Sequence, residues 1–175
     1  PKTTIGYSYK TNYTPDLCQI IDQKGGYAEV VSEMEYDLAL LCRVSPEKII
    51  VNGPYKPRAA LKRFLENGSI VNLDGFSELA LVETLACQNP EQTFRIGLRC
   101  NFSIDSNTVS RFGFDVKDHN FFSAIKRLRG SANITISGIH CHFPDRNAES
   151  YNIRADKILD LSQRLFKTPP SYIDI

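Results

Sequence analysis

The feature of this sequence that most limits its fold is an alternation of short apolar runs with longer segments of helical periodicity. The short runs are rich in β-branched and aromatic residues, as strands are. Seven runs have this character: Ile5 to Tyr9, Tyr27 to Val31, Lys48 to Val51, Ile70 to Leu73, Phe94 to Cys100, Ile134 to Phe143 and Tyr172 to Ile175. Alternation of this kind is typical of βα units on a parallel sheet, so it predicts an α/β protein.

Capping residues, in addition to helical periodicity, indicate where the predicted helices begin and end. Thr14 and Pro15 form a cap followed by proline at the first helical position, and Gly25-Gly26 supplies the stop. Ser32, with Glu35 three residues later, forms a capping box that opens a second helix toward Cys42. Further helices are predicted over Pro57 to Glu66, Ser77 to Cys87, Asn120 to Leu128 and Asn147 to Phe166.

The length of the chain indicates which α/β architecture to expect. A closed (β/α)8 barrel typically takes about 250 residues, whereas this chain has 175 and ends inside the predicted strand Ile173-Asp174-Ile175. We therefore expect a TIM-type (β/α)8 barrel that is incomplete here, with residues 1–175 forming one barrel domain cut from something longer. A complete open doubly wound sheet is the alternative.

Composition excludes several classes of function. The chain has 21 Lys+Arg against 20 Asp+Glu, a net charge of +1, and no run of five like charges, which argues against a nucleic-acid or acidic-membrane partner. It has no stretch of ~18 apolar residues and no signal-peptide profile at its start. Its five dispersed cysteines contain no CxxC pair. These features predict a soluble, cytoplasmic protein.

Candidate site residues are expected at the carboxyl ends of the predicted strands, where α/β proteins assemble their sites. Polar residues at or near those ends are Lys10, Glu29, Asn52, Asp74, Arg99, Asn101, His140 and His142. A lysine just beyond an apolar strand is either simply solvated or a Schiff-base nucleophile toward an aldehyde cofactor or a carbonyl substrate. In the second case Glu29 or Glu35, with Arg99, would orient the reactants and balance their charges.

Two histidines lie close together in the sixth predicted strand. His140 and His142 are two residues apart, so a strand would direct both to one face. This pattern suits a metal ion, a pair of satisfied polar residues, or an imidazole stacked on a planar cofactor. A catalytic zinc usually needs three protein ligands, and His119, the remaining histidine, is predicted at the start of a surface helix. No metal site is therefore predicted.

Eight blocks in order along the chain carry a family resemblance. They are YSYKTN (7–12), YAEVVSEMEY (27–36), KIIVNGPYK (48–56), IVNLDG (70–75), RIGLRCN (95–101), SRFGF (110–114), GIHCHF (138–143) and YIDI (172–175). Together they resemble the alanine-racemase-like barrel, of fold type III, of the pyridoxal-phosphate-dependent amino-acid decarboxylases, and most of all the diaminopimelate decarboxylases. The resemblance runs along the whole chain.

The resemblance implies a role for each matching residue. Lys10 would form a Schiff base with pyridoxal 5'-phosphate. Glu29 and Glu35 match acidic positions of the second strand and the turn after it, which lie near the cofactor and its Schiff base, and Glu35 would be a catalytic residue. Arg99 matches an arginine that serves as a charge partner near the cofactor.

The histidine motif is assigned in the same way. His142 matches the histidine that stacks on the pyridine ring and would be both a catalytic and a cofactor-binding residue, and His140 accompanies it in the cofactor site. The implied activity is decarboxylation of an amino acid resembling diaminopimelate or ornithine, by a homodimer. An amino-acid racemase of the same barrel type and a non-catalytic relative that binds cofactor or a partner protein remain as alternatives.

Two departures from the family pattern qualify this expectation. Pro144 and Asp145 stand where the family usually has Gly-Ser, so this segment is expected to hold the cofactor phosphate poorly unless Arg146 or a later loop compensates. The family's glycine-rich phosphate loop and C-terminal β domain follow the YIDI-like strand and are absent from this sequence. The chain by itself is therefore expected to have little or no turnover.

Overall fold

The computed structural model describes residues 3–104, 110–145 and 147–175. The chain divides into two compact units, Pro1–Asn72 and Leu73–Ile175. The strands are β1 Gly6–Ser8, β2 Tyr27–Val30, β3 Ile49–Val51, β4 Ile70–Leu73, β5 Phe94–Asn101, β6 Phe114–Asp115, β7 Ile134–His140 and β8 Tyr172–Asp174. The α-helices are α1 Pro15–Gln23, α2 Glu33–Leu41, α3 Arg58–Glu66, α4 Phe76–Gln88, α5 His119–Arg129 and α6 Ala148–Leu165, and a 3₁₀ turn covers Pro46–Lys48.

The first unit is built on parallel pairing of β1 with β2, β2 with β3 and β3 with β4. Val30, Val51 and Val71 occupy one row of the sheet, and all three are buried. Tyr36 of α2 packs its ring 4.4 Å from that of Phe64 of α3. β-branched residues in the strands and aromatic residues on the helices thus form the apolar core of this unit.

The second unit repeats this parallel arrangement around two longer strands, β5 and β7. β5 pairs in parallel with β6 and with β7, and β7 pairs in parallel with β8. Arg99, His140 and Asp174 are register partners on β5, β7 and β8, so their side chains leave the sheet on the same face. A row of three ionisable residues therefore crosses the carboxyl ends of three neighbouring strands.

One turn design occurs once in each unit. The Val31 N–H just after β2 donates to Glu35 Oε2 at 2.7 Å, and the Asp74 N–H just after β4 donates to Glu78 Oε2 at 2.9 Å. Each glutamate is buried in the first turn of the following helix. A carboxylate in this place satisfies a main-chain donor and suits the positive end of the helix dipole. Both strand-to-helix turns, which carry candidate residues, are fixed in this way.

The predicted elements are confirmed with small changes at their ends. All six predicted helices and all seven predicted strands are present, and the pairing in both units is parallel, as expected of an α/β protein. The short strand β6 was not predicted. The predicted extension of the sixth strand to Phe143 was wrong, because β7 ends at His140 and His142 lies beyond it. Within the described residues, no helix is both long and apolar enough to cross a membrane.

Candidate active site

Lys10 lies in the turn that follows β1. The Thr11 N–H and hydroxyl both donate to the Ser8 carbonyl, at 3.2 and 2.7 Å, and these bonds close the turn. The Lys10 side chain is exposed. The described residues therefore present this amine to solvent and do not supply the burial that would desolvate it.

Glu29 lies at the same edge of the first sheet. It is the register partner of Ser8, and its carbonyl accepts the Tyr9 N–H at 2.9 Å. Its side chain is half-buried. Because Lys10 follows Ser8 by two residues, the Glu29 carboxylate lies on the strand beside β1, two positions before the level of Lys10.

Glu35 is held by the main chain around it. It is 5% exposed, its carboxylate accepts the Val31 N–H at 2.7 Å, and its own N–H donates to Ser32 Oγ at 3.3 Å. The Ser32 half of the predicted capping box is formed, whereas the Glu35 carboxylate accepts the Val31 N–H and not the N–H of the cap residue. In this geometry Glu35 stabilises the β2–α2 turn, and a catalytic role for it stays a prediction.

Asn52, named above as a polar residue at a strand end, belongs to a buried polar group whose other members, Asn72 and Lys56, were not predicted. Asn72 Nδ2 donates to Asn52 Oδ1 at 2.6 Å, and the buried Lys56 Nζ donates to the Gly53 carbonyl at 2.5 Å. Gly53 approaches β2 so closely that an added Cβ would lie 2.3 Å from the Val31 oxygen. The polar Asn72 between apolar neighbours in β4 was the signal that could have revealed this group.

Arg99 is the best-anchored candidate in the second unit. It is 7% exposed, and its NH1 donates to Asp74 Oδ1 at 2.7 Å. Asp74 Oδ2 accepts the Gly113 N–H at 3.2 Å, and the guanidinium carbon lies 5.1 Å from the Phe112 ring centroid. A buried cation of this kind is suited to binding an anion, because a guanidinium has five N–H donors.

The two histidines differ in environment. His140 is buried, and its Nδ1 lies 3.0 Å from Asp174 Oδ2, close enough for an ion pair when the imidazole is protonated, although the angle is not that of a hydrogen bond. His142 is exposed, and its ring lies 6.5 Å from that of His140 at an interplanar angle of 18°. An exposed, oriented imidazole is suited to stacking on a planar ligand.

The segment after β7 is held by helix α6. The Asp145 carbonyl accepts a bond from the buried Arg154 NH2 and another from Ser150 Oγ at 3.4 Å. At the start of α6, Asn147 Oδ1 accepts the Ser150 N–H at 2.8 Å. Pro144 and Asp145 therefore follow a course fixed within the chain, and the first turn of α6 is capped by a side chain. Arg146, named as a possible compensating charge, lies outside the described residues.

Two buried cysteines of the second unit are held as neutral thiols, and no cluster of metal ligands is found in the described part of the chain. Burial raises the pKa of Cys141 to about 12 and also raises the pKa of the Cys100 thiol well above its usual range. Among residues 3–104, 110–145 and 147–175, no group of three or more His, Cys, Asp and Glu could hold a metal ion. His119 is the first residue of α5 and is exposed, as predicted.

The candidate residues fit, by type, an aromatic aldehyde that carries negative charge. In the first unit an exposed primary amine follows β1, near a half-buried carboxylate. In the second unit a buried guanidinium and an exposed imidazole stand at the ends of β5 and β7. An amine can condense with an aldehyde, a guanidinium can bind an anionic oxygen, and an imidazole can stack on an aromatic ring.

A family model and individual relatives both relate this chain to decarboxylases that use pyridoxal. The family described as "Pyridoxal-dependent decarboxylase, pyridoxal binding domain" matches residues 1–166. The diaminopimelate decarboxylase of Bacillus subtilis is 28% identical over 170 residues, which is 90% of this chain and 38% of that protein. That of Bacillus methanolicus is 30% identical over 152 residues, covering 81% of this chain and 35% of the relative.

Solved structures show the same likeness in fold. A diaminopimelate decarboxylase from Methanocaldococcus jannaschii superposes with a TM-score of 0.83 at 25% identity, over 94% of this chain and 40% of that one. The Helicobacter pylori enzyme, complexed with L-lysine, also gives 0.83 at 23% identity, over 94% of this chain and 44% of that one. The chain thus spans about two fifths of the relatives it matches, and the predicted barrel class is confirmed at the level of fold.

Proposed function

The chain belongs to the pyridoxal-dependent decarboxylases, as their pyridoxal-binding domain, and on this premise we propose that it serves the decarboxylation of an amino acid by pyridoxal phosphate joined to Lys10. The observation that carries the proposal is the family match over residues 1–166. All six residues assigned from the sequence, Lys10, Glu29, Glu35, Arg99, His140 and His142, lie inside that range.

The cofactor, when bound, supplies the electron sink that lets the α-carboxylate of an amino acid leave. The chain's own part is to hold and orient it. Lys10 is suited to covalent attachment because its amine stands in an exposed turn at the end of a strand. The exposed His142 ring would cover one face of the pyridine, and Arg99 would bind an anionic oxygen.

The carboxylates have different tasks in this proposal. Glu29 lies on β2 opposite Ser8, two residues before Lys10, and would hold or receive a proton near the Lys10 amine. Glu35 would keep the β2–α2 turn in place through its bond to the Val31 N–H. His140, paired with Asp174, would keep the end of β7 ordered beneath His142.

The proposed substrate is a diamino acid of the diaminopimelate type. Support comes from the relatives, which are diaminopimelate decarboxylases, and from related structures described as complexed with L-lysine, with putrescine and with agmatine. Each of these three ligands has an aliphatic chain that carries an amine or a guanidine at its far end. We further propose a homodimer in the cytoplasm, as the family resemblance and the dispersed, unpaired cysteines suggest.

A non-catalytic relative that binds cofactor without turnover is the second candidate. The observation in its favour is that Pro144 and Asp145 replace the family's usual Gly-Ser, while their segment is bound to Arg154 and Ser150 of α6. This candidate shares the covalent attachment and differs in releasing no carbon dioxide.

Borohydride reduction of the intact, cofactor-loaded protein tests the proposal. Peptide mapping should place the pyridoxyl label on Lys10, and Lys10→Ala should remove both the label and the visible absorbance. Lys24→Ala is the matched control, since Lys24 is also an exposed lysine of the first unit and should leave both unchanged. A label at another lysine would contradict the assignment.

Carbon dioxide release from diaminopimelate, lysine, ornithine and arginine then separates the two candidates. Release from at least one diamino acid supports the decarboxylase. Labelling of Lys10 without release of carbon dioxide from any of the four, and without racemisation of any of them, supports the non-catalytic relative.

A further inference from the structure

The Asp74 carboxylate joins two elements of the second unit. Its Oδ1 accepts Arg99 NH1 at 2.7 Å, and its Oδ2 accepts the Gly113 N–H at 3.2 Å. The side chains of Arg99 and Asp74 are only 8% and 11% exposed. Both carboxylate oxygens are therefore committed, one to a charged side chain of β5 and the other to the main chain just before β6.

Gly113 is required for this arrangement. Its φ is +83°, a conformation that L side chains rarely adopt, and an added Cβ would lie 2.9 Å from the Arg99 carbonyl oxygen and 3.1 Å from Arg99 Cγ. Gly113 thus lies directly against Arg99 while its N–H binds the carboxylate that holds the guanidinium. The same loop is tied back to β5 by Asn101 Nδ2, which donates to the Ser110 carbonyl at 2.6 Å.

The guanidinium is constrained on two sides. Asp74 binds NH1, and the Phe112 ring lies 5.1 Å from the guanidinium carbon. Within the described residues, the hydrogen bond shown for Arg99 uses one of the five N–H donors that the group carries. Fixing a long side chain in advance lowers the entropy cost of binding an anion with the remaining donors.

We infer that Asp74, oriented by the Gly113 N–H, is a positioning residue that fixes the Arg99 guanidinium for an anionic group of the bound cofactor or substrate. This inference rests on the proposed function, because Arg99 needs a ligand for its position to matter. It gives a role to Asp74, which the sequence indicated only as a polar residue at a strand end, and to the loop 110–113, to which no role had been assigned.

A double-mutant cycle in the intact protein tests the inference. Asp74→Asn should raise the Kd for pyridoxal phosphate about tenfold or raise KM for the substrate while changing kcat little, depending on which anion Arg99 binds. Arg99→Gln should do the same, and adding Asp74→Asn to Arg99→Gln should have no further effect, since Asp74 acts only through Arg99. Additive losses in the double variant, or wild-type Kd and KM in Asp74→Asn, would overturn it.

A control and a second variant keep the test decisive. Glu83→Gln removes the charge that faces Arg127 in an exposed ion pair of the same unit and should change neither Kd nor KM. If Asp74→Asn does not fold, Gly113→Ala disturbs the same contact without a change of charge, and it should weaken the same binding step. Unchanged binding in a folded Gly113→Ala protein would count against the inference.

A readout without cofactor distinguishes failure here from failure of the proposed function. Amide hydrogen exchange at Gly113 in the cofactor-free protein should be slow and should accelerate in Asp74→Ala, whether or not Lys10 is the attachment site. Rapid exchange in the unaltered protein would overturn the inference. Labelling away from Lys10, by contrast, would refute the proposed function and leave the Asp74 contact standing.

Discussion

Replacing Glu35 distinguishes a stabilising role for its carboxylate from a chemical one. In the structure this buried carboxylate accepts the Val31 N–H at 2.7 Å in the turn between β2 and α2. Glu35→Ala would leave that N–H without its acceptor, whereas Glu35→Gln would keep an amide oxygen in the same place. Glu33, exposed in the first turn of the same helix, is the matched control.

The size of each effect follows from these contacts. A hydrogen bond to a charged group is worth about 1.5–3 kcal/mol, and a carboxylate at a helix N-terminus adds about 0.3–1 kcal/mol. Glu35→Ala should therefore lower the free energy of unfolding by about 2–4 kcal/mol, and Glu35→Gln by about 1 kcal/mol. Glu33→Ala should cost less than about 1 kcal/mol, because its ion pair with Arg63 is exposed and 4.0 Å long.

Urea denaturation and amide exchange of the intact protein provide the measurements. The Val31 amide should exchange faster in Glu35→Ala and stay protected in Glu35→Gln, and Glu35→Gln should retain borohydride labelling at Lys10. If Glu35→Ala is no less stable than Glu33→Ala, the stabilising role is refuted. If Glu35→Gln keeps its stability but loses turnover, the carboxylate has a chemical role as well.

Three further predictions concern thiols, alkaline pH and a close backbone approach. A thiol reagent should modify Cys87 first in the native protein, since it is exposed and the other four cysteines are buried, and mass spectrometry should find those four modified only after unfolding. Burial raises the pKa of Tyr9 and Tyr172 above their ordinary value of 10, so on going to alkaline pH the unfolded chain loses these two protons before the folded protein does. The free energy of unfolding should therefore be unaffected by these groups below about pH 10 and should fall as the pH rises further. The measurement is the urea midpoint, which should become lower. Gly53→Ala should lower the free energy of unfolding by about 1–3 kcal/mol, because its Cβ would lie 2.3 Å from the carbonyl oxygen of Val31, just after β2. Gly6→Ala, whose Cβ would make an ordinary contact at 3.6 Å, should lower that free energy much less in the same urea assay.

The elements were predictable where local chemistry defines them. Helix α2 begins after Ser32 because that side chain accepts the Glu35 N–H, a signal readable from four residues. Strand β7 was predicted too long because the apolar and aromatic pattern continues to Phe143, whereas its pairing depends on β8, which ends at Asp174. Strand β6 has two residues and is too short to show any periodicity.

The candidate site was predictable in residue type and much less so in contacts. The strand-end rule named Asp74 and Arg99 separately, yet they are 25 residues apart, and nothing local indicates that they pair. It also treated His140 and His142 alike, whereas the first is buried and the second exposed, because the strand ends between them. Local patterns report which groups occur at a strand end, and tertiary packing decides which of them meet.

The bond from Arg154 to the Asp145 carbonyl has a consequence for how this region can vary. Because Arg154 binds the main-chain carbonyl of residue 145, this bond does not depend on which side chain residue 145 carries. The backbone path of residues 144 and 145 can therefore persist when their side chains are replaced. Replacing Pro144-Asp145 by Gly-Ser would then change the polarity of this segment and add a hydroxyl and a backbone N–H while keeping the bond to Arg154. Any gain in phosphate affinity would come from these new donors and not from a new backbone path.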